Sequence, residues 1–146
     1  MQLRPYQQAA VDAVYEHLRS KETNPCVVIP CGCGKSLVLA QIAKDAVEKW
    51  NGRVLLLAHV KELLEQNADK IRKLCPELKI GIYSAGLKSR DTTEQVIVAG
   101  IQSVYNKACE LDAFDLVIVD ECFPAGTLID TPRGQIPIED LYVGQP

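Results

Sequence analysis

The run Ile29-Pro30-Cys31-Gly32-Cys33-Gly34-Lys35-Ser36 has the residue types and spacing to bind a phosphate chain. Gly32 and Gly34 let the backbone bend so that successive N–H groups face an anion. A helix beginning just after them adds partial positive charge at the same point. Lys35 can reach β- and γ-phosphates, and the Ser36 hydroxyl can ligate Mg²⁺. Cys31 and Cys33 complete the loop. The strict phosphate-loop pattern has a glycine where Ile29 stands. A plain glycine-containing turn is the bland alternative, which Gly-x-Gly-Lys-Ser after an apolar run outweighs.

A second group of chemical residues closes another apolar run. Leu116 to Val119 leads into Asp120-Glu121. Asp120 can hold a divalent metal through water, and Glu121 can orient or deprotonate an attacking water. Alone, the pair reads as solvated acids at a strand end. Opposite a phosphate loop, it reads as half of a Mg²⁺–nucleotide site. Gln7 adds a weaker signal, because an amide that donates and accepts at once suits the two-sided edge of adenine.

These residues need elements to position them. Pro5 suits a first helical turn, and Val11, Val14, Tyr15 and Leu18 recur at helical spacing. Asn24-Pro25 breaks the chain, and Cys26 to Val28 is predicted as the strand entering the phosphate loop. The helix after the loop carries Leu39, Ala40, Ala43, Ala46, Val47 and Trp50 on one face, and Asn51-Gly52 stops it. Arg53 to Ala58 is predicted as a buried strand, followed by a helix from Val60 to Leu74. In that helix, early Glu62 and Glu65 and late Lys70, Arg72 and Lys73 suit the dipole. Further strands are predicted near 78–83, 95–99 and 116–119, with a polar loop from Ser84 to Thr93 and a short helix near Gln102. Strands alternating with helices predict an α/β fold, a doubly wound parallel sheet with helices on both faces. Such sheets bind ligands at the carboxyl ends of their strands.

Composition sets the frame. The chain has 146 residues, 47% hydrophobic and 24% charged, with a formal net charge of -3. That reads as a globular domain with a real core, and any nucleic-acid face would have to be a local basic patch. No apolar run is long enough to span a bilayer, and the first residues do not read as a signal peptide, so a cytoplasmic setting without membrane contact is expected. Six cysteines agree with that if they are reduced, and no Cys/His spacing suggests zinc.

Residues 1–121 resemble the first RecA-like domain of a superfamily 2 helicase of the DEAD/DEAH-related kind. Leu3-Arg4-Pro5-Tyr6-Gln7 resembles its adenine-reading glutamine motif, and Pro30 to Ser36 resembles motif I. Leu55 to Gln66 resembles motif Ia, Ala99 to Ser103 motif Ib, and Val117 to Glu121 motif II. The resemblance implies ATP and Mg²⁺ as cofactors and nucleic acid, DNA before RNA, as partner. It implies that His59, Lys61, Gln102 and Ser103 contact a nucleic-acid backbone. Read without it, those four are ordinary polar residues at strand ends, and both readings stand.

The chain changes character after Glu121. Motif II of that family usually continues as Asp-Glu-x-His, whereas here Cys122 is followed by Phe123. Residues 123–134 alternate and turn like a β-hairpin with Gly134 near its tip. The stretch 122–146 resembles the N-terminal splicing block of an intein. The likeness lies in Cys122, Gly126-Thr127-Leu128-Ile129, Gly134, Ile136-Pro137-Ile138-Glu139-Asp140-Leu141 and Gly144. It implies a β-rich segment in which Cys122 is the splicing nucleophile that attacks the Glu121 carbonyl. The threonine- and histidine-bearing block that completes such chemistry does not occur in residues 1–146, nor does a second RecA-like domain. The expected entity is a helicase precursor with an incomplete intein piece. Either it is half of a split precursor whose partner is a C-terminal intein and helicase fragment, or it is part of a longer contiguous one. A tail this short cannot bury a core and is expected to be disordered or loosely docked. Two rival readings are a stand-alone P-loop ATPase or kinase and a non-catalytic binding remnant.

Overall fold

The computed structural model describes residues 3–105, 107–120, 122, 126–131 and 134–137. Helix α1 runs Pro5–Ser20, and α2 runs Lys35–Trp50 straight out of the glycine loop. Strand β1 (Val54–Ala58) leads into α3 (Lys61–Leu74), then β2 (Ile80–Ser84), β3 (Ser89–Arg90) and β4 (Val96–Gly100). A one-turn helix α4 (Ile101–Val104) and a 3₁₀ turn (Ala108–Glu110) precede β5 (Leu116–Val119).

The five strands form one sheet in the order β3-β2-β4-β1-β5, parallel except for β3. Strand alternation splits the apolar residues between two faces. On one face Val54, Leu56, Ala58, Val96 and Val98 meet Ala40, Ala43 and Ala46 of α2 and Leu64, Ala68 and Ile71 of α3. The other face carries Leu55, Tyr83, Ile97 and Ala99, covered by Val104, Leu111 and Phe114 from the α4-to-β5 connection. Long helices thus cover one face, and short turns cover the other. Fully buried Leu56 and Leu64 each contribute about 1.5–3 kcal/mol by leaving water. Helix α1 packs Val11 and Val14 on Val38 and Ile42 of α2, joined by Leu116 and Ile118 of β5.

Several expectations are corrected. Residues 26–28 are not a strand, because among the described residues no neighbour pairs with them, and Val28 is 79% exposed. The 84–93 loop contains the two-residue strand β3, pinned antiparallel to β2 through Tyr83–Arg90 and Ser84–Ser89. Strand β5 is apolar throughout yet covered on one side only, since it sits at the sheet edge with Val117 and Val119 half exposed. Leu18 and Trp50 are exposed rather than core, and Trp50 stands edge-on to Tyr15 at 5.5 Å.

The tail carries a separate antiparallel hairpin, β6 (Leu128–Thr131) and β7 (Gly134–Pro137), with Thr131 opposite Gly134. The hairpin was legible in the alternation. Over these residues the ladder pairs four residues on each side. Glu121 and residues 123–125, 132–133 and 138–146 lie outside the described residues, including the intein-like Ile138 to Leu141 and Gly144.

Candidate nucleotide site

Parallel pairing places the ends of β1, β4 and β5 along one edge of the sheet. Ala58 pairs with Gly100, and Leu57 pairs with Val119. His59, Ile101 and Asp120 are the next residues on these strands, so one edge gathers the chemistry. The glycine loop meets that edge. Gly32 and Gly34 take φ of +77° and +76°, a left-handed conformation that costs an L side chain. Gly34 is also the N-cap of α2 and supplies no side-chain cap. The first N–H groups of α2 are therefore left to an anion.

Two residues of α1 hold the loop. The Gln7 Nε2 donates to the Cys33 carbonyl at 3.1 Å, and the Tyr6 hydroxyl donates to the same oxygen at 2.8 Å. The Gln7 Oε1 accepts the Arg4 N–H at 3.0 Å. Both ends of this buried amide are therefore used, and Gln7 ties the loop to α1. A Cβ on Gly34 would stand 2.5 Å from Gln7 Nε2, so glycine there is required by contact as well as by φ. Cys31 and Gly32 are exposed at the loop tip, and Cys33 is half-buried.

Asp120 is 8% exposed and faces the loop, with Lys35 Nζ 3.9 Å from its Oδ1. The other oxygen, Oδ2, accepts a buried hydrogen bond from Asn67 Nδ2 at 2.9 Å. Among the described residues Oδ1 has no hydrogen-bond donor. Ser36 accepts from Lys70 Nζ at 3.1 Å. A bare, buried carboxylate oxygen and a hydroxyl at a phosphate loop form the hard-oxygen donor set that Mg²⁺ takes, so Ser36 and Asp120 fit that ion. Glu121 lies outside the described residues.

Tyr6, Asn67 and Lys70 were not singled out from sequence. Asn67 had a readable signal. It occupies the buried stripe Leu64, Asn67, Ala68, Ile71 of α3, where a carboxamide needs a partner. Tyr6 and Lys70 are exposed and had none.

His59 and Lys61 are exposed at the end of β1 and the start of α3, and Gln102 is exposed on α4 beside them. Ser103 is half-buried, and its Oγ accepts the Ala85 N–H at 2.9 Å. Gln102 and Ser103 line a cavity of about 170 Å³ with Arg90 and Lys107. Glu110 ties these cations at 3.7 and 3.0 Å and accepts from the Tyr83 hydroxyl at 2.7 Å. The Tyr83 hydrogen bond and then Lys107 hold the Glu110 carboxyl below its usual range.

Cys122 is exposed, as is Cys26. Local desolvation and then Cys122 push the Cys26 thiol upward. All six cysteines are free.

A family described as the Type III restriction enzyme, res subunit (ResIII) matches residues 1–127. The chain belongs to the ResIII family. It is a helicase-type domain of an ATP-dependent helicase family. This ResIII domain is 28% identical over 131 residues to the putative ATP-dependent helicase IRC3 of Saccharomyces cerevisiae, covering 82% of this chain and 18% of that protein. It is also 28% identical over 138 residues to the ATP-dependent RNA helicase DHX58 of Mus musculus, covering 84% and 20%. The ResIII domain thus spans about a fifth of the length of these curated relatives. Among solved structures it superposes on a nuclease-deletion mutant of the Type ISP restriction-modification enzyme LlaGI in complex with a DNA substrate mimic. The TM-score is 0.64 at 20% identity, over 83% of this chain and 15% of that one. The shared architecture is RecA-like. Among the described residues no helix is long and apolar enough to cross a membrane.

Proposed function

We propose that residues 1–121 are the first ATP-binding half of a nucleic-acid helicase, interrupted after Glu121 by an intein piece at 122–146. The approach of Lys35 to Asp120 at 3.9 Å carries the nucleotide reading, because it joins the phosphate loop and the acidic strand end into one site. The loop N–H groups and the α2 N-terminus bind the phosphates, and Lys35 neutralises charge on the β- and γ-groups. Gln7 and Tyr6 hold Cys33 so that the loop keeps its shape, and Gln7 reads adenine only by exchanging its bonds to Arg4 and Cys33 for bonds to the base. Ser36 and Asp120 would hold Mg²⁺, which when bound neutralises charge building on the phosphates. Glu121 orients the water that attacks the γ-phosphate.

His59, Lys61, Gln102 and Ser103 contact the nucleic-acid backbone, with DNA the preferred strand. Their shared sheet edge supports this. Hydrolysis would drive closure against a second domain of the longer protein. In splicing, the Cys122 sulfur attacks the Glu121 carbonyl carbon, and the Glu121–Cys122 C–N bond breaks. A thioester forms, and the thiol proton ends on the freed Cys122 amine.

One observation favours a second reading. The ResIII match continues to residue 127, so Cys122 can also be read as the native third residue of motif II.

Two measurements test the proposal. Lys35→Ala is expected to abolish binding of a fluorescent ATP analogue, and unchanged binding would sink the nucleotide reading. Peptide mapping of the mature protein from its source is expected to find Glu121 joined directly to Cys-His. A persistent Glu121-Cys122-Phe123 peptide favours the second reading.

A further inference from the structure

Helix α3 enters the nucleotide site with two side chains one turn apart. Asn67, 3% exposed, donates to Asp120 Oδ2, and Lys70 donates to Ser36 Oγ. Helical spacing puts residues i and i+3 on one face. These are the two side chains that fit the metal, and α3 touches both. A helix needed only for packing would carry an apolar residue at 67, as it does at Leu64, Ala68 and Ile71.

The two contacts act differently. A buried carboxylate held on one oxygen cannot rotate without losing that bond. Asn67 therefore fixes Asp120 so that the bare Oδ1 points toward Lys35 and the loop. Lys70 is exposed, so its ammonium could lie in water, yet it rests on the Ser36 hydroxyl at 3.1 Å. An ammonium and a metal ion cannot share that oxygen, because like charges at such separation repel.

We propose that Asn67 and Lys70 are positioning residues for the cation site. Asn67 presets Asp120 for Mg²⁺, and Lys70 occupies Ser36 in the metal's place until Mg²⁺ arrives with nucleotide. The inference rests on the nucleotide reading above. It places control of the metal on the helix that begins beside Lys61, at the edge assigned to nucleic acid.

The test is a MgCl₂ titration of the full chain with a fluorescent ATP analogue. Its readout is the ratio of nucleotide affinity with Mg²⁺ to that without. Asn67→Leu keeps the packing volume and removes the amide, and it lowers the ratio about tenfold. Lys70→Met keeps the aliphatic stem, removes the competing charge and raises the ratio about threefold. Opposite signs are the signature, since a merely structural role moves both variants the same way. Lys70 is exposed, so its variant folds even if Asn67→Leu does not, and a Lys70→Met ratio at or below wild type overturns the proposal. If the wild type is Mg²⁺-dependent and both variants lie within twofold of it, the pair falls and the nucleotide reading stands. If the wild type binds nucleotide without regard to Mg²⁺, the pair falls and nucleotide binding stands; if the wild type binds no nucleotide with or without Mg²⁺, both fall.

Discussion

Gln7 Nε2 and the Cys33 carbonyl meet at 3.1 Å across 26 residues of sequence, and Gly34 is the residue that lets them. A Cβ at 34 would lie 2.5 Å from Gln7 Nε2. The conformation of the phosphate loop and the position of the α1 amide are therefore one structural unit.

Gly34→Ala should break that unit. The left-handed φ alone costs about 1–2 kcal/mol, and the amide must also move. Nucleotide binding is expected to fall more than about tenfold, since a 1.4 kcal/mol loss is already a factor of ten. Gln7→Ala should weaken binding less. In the double variant the clash is gone, so thermal melts should show the two changes to be non-additive. Additive melting shifts would mean that the two residues act separately.

Lys35→Ala should leave the fold intact while removing binding. The ion pair with Asp120 is long at 3.9 Å, and Lys35 is 39% exposed. Its loss should change stability by less than about 1 kcal/mol. A melt unchanged within a few degrees, with nucleotide titration flat, is the expected pair of results. A large drop in melting temperature would make Lys35 structural.

The Tyr15–Asp45 contact should give an alkaline signature. The Tyr15 hydroxyl donates to Asp45 at 2.7 Å, and burial, then that hydrogen bond, raises its pKa above the ordinary 10.0. A folded value above the unfolded one means that the contribution is intact below about pH 10 and is lost as pH rises further. Tyr15→Phe should be less stable than wild type by about 1 kcal/mol at neutral pH. Denaturant melts from pH 8 to 11 should show the gap narrowing above pH 10. A constant gap would remove the ionisation from the account.

Lys61→Ala should weaken DNA binding about equally across sequences. A backbone contact also predicts a shallower salt dependence, with the log–log slope reduced by about one. Binding titrations at several salt concentrations measure this. An unchanged slope would return Lys61 to the role of a solvated helix-start residue.

Turnover of the chain as it stands is expected to be low, because Cys122 and Phe123 follow the acid pair where motif II is to continue. A phosphate-release assay with and without DNA checks this. Strong DNA-stimulated hydrolysis would show that residues 122–146 do not obstruct the site.

Local chemistry carried much of this protein's reading. Glycine spacing, an apolar run ending in two acids and a helical stripe after each loop are contiguous features. They located the glycine loop and helix α2, strands β1, β2, β4 and β5, and the tail hairpin from sequence alone. Pairing was less legible. Residues 26–28 have strand composition, but a strand exists only when a neighbour supplies its hydrogen bonds, and composition does not name that neighbour. Burial was legible only where both sides of an element are covered. The apolar β5 therefore exposes Val117 and Val119 at an edge that its own residues could not reveal. Tertiary structure alone decided the contacts made across the fold, because they join residues far apart in sequence. Gln7 turned inward onto Cys33, Asn67 reached Asp120 over 53 positions, and Lys70 reached Ser36 over 34. Side-chain types showed what each residue can bond to, and the packing of α1 and α3 against the loop chose the partner.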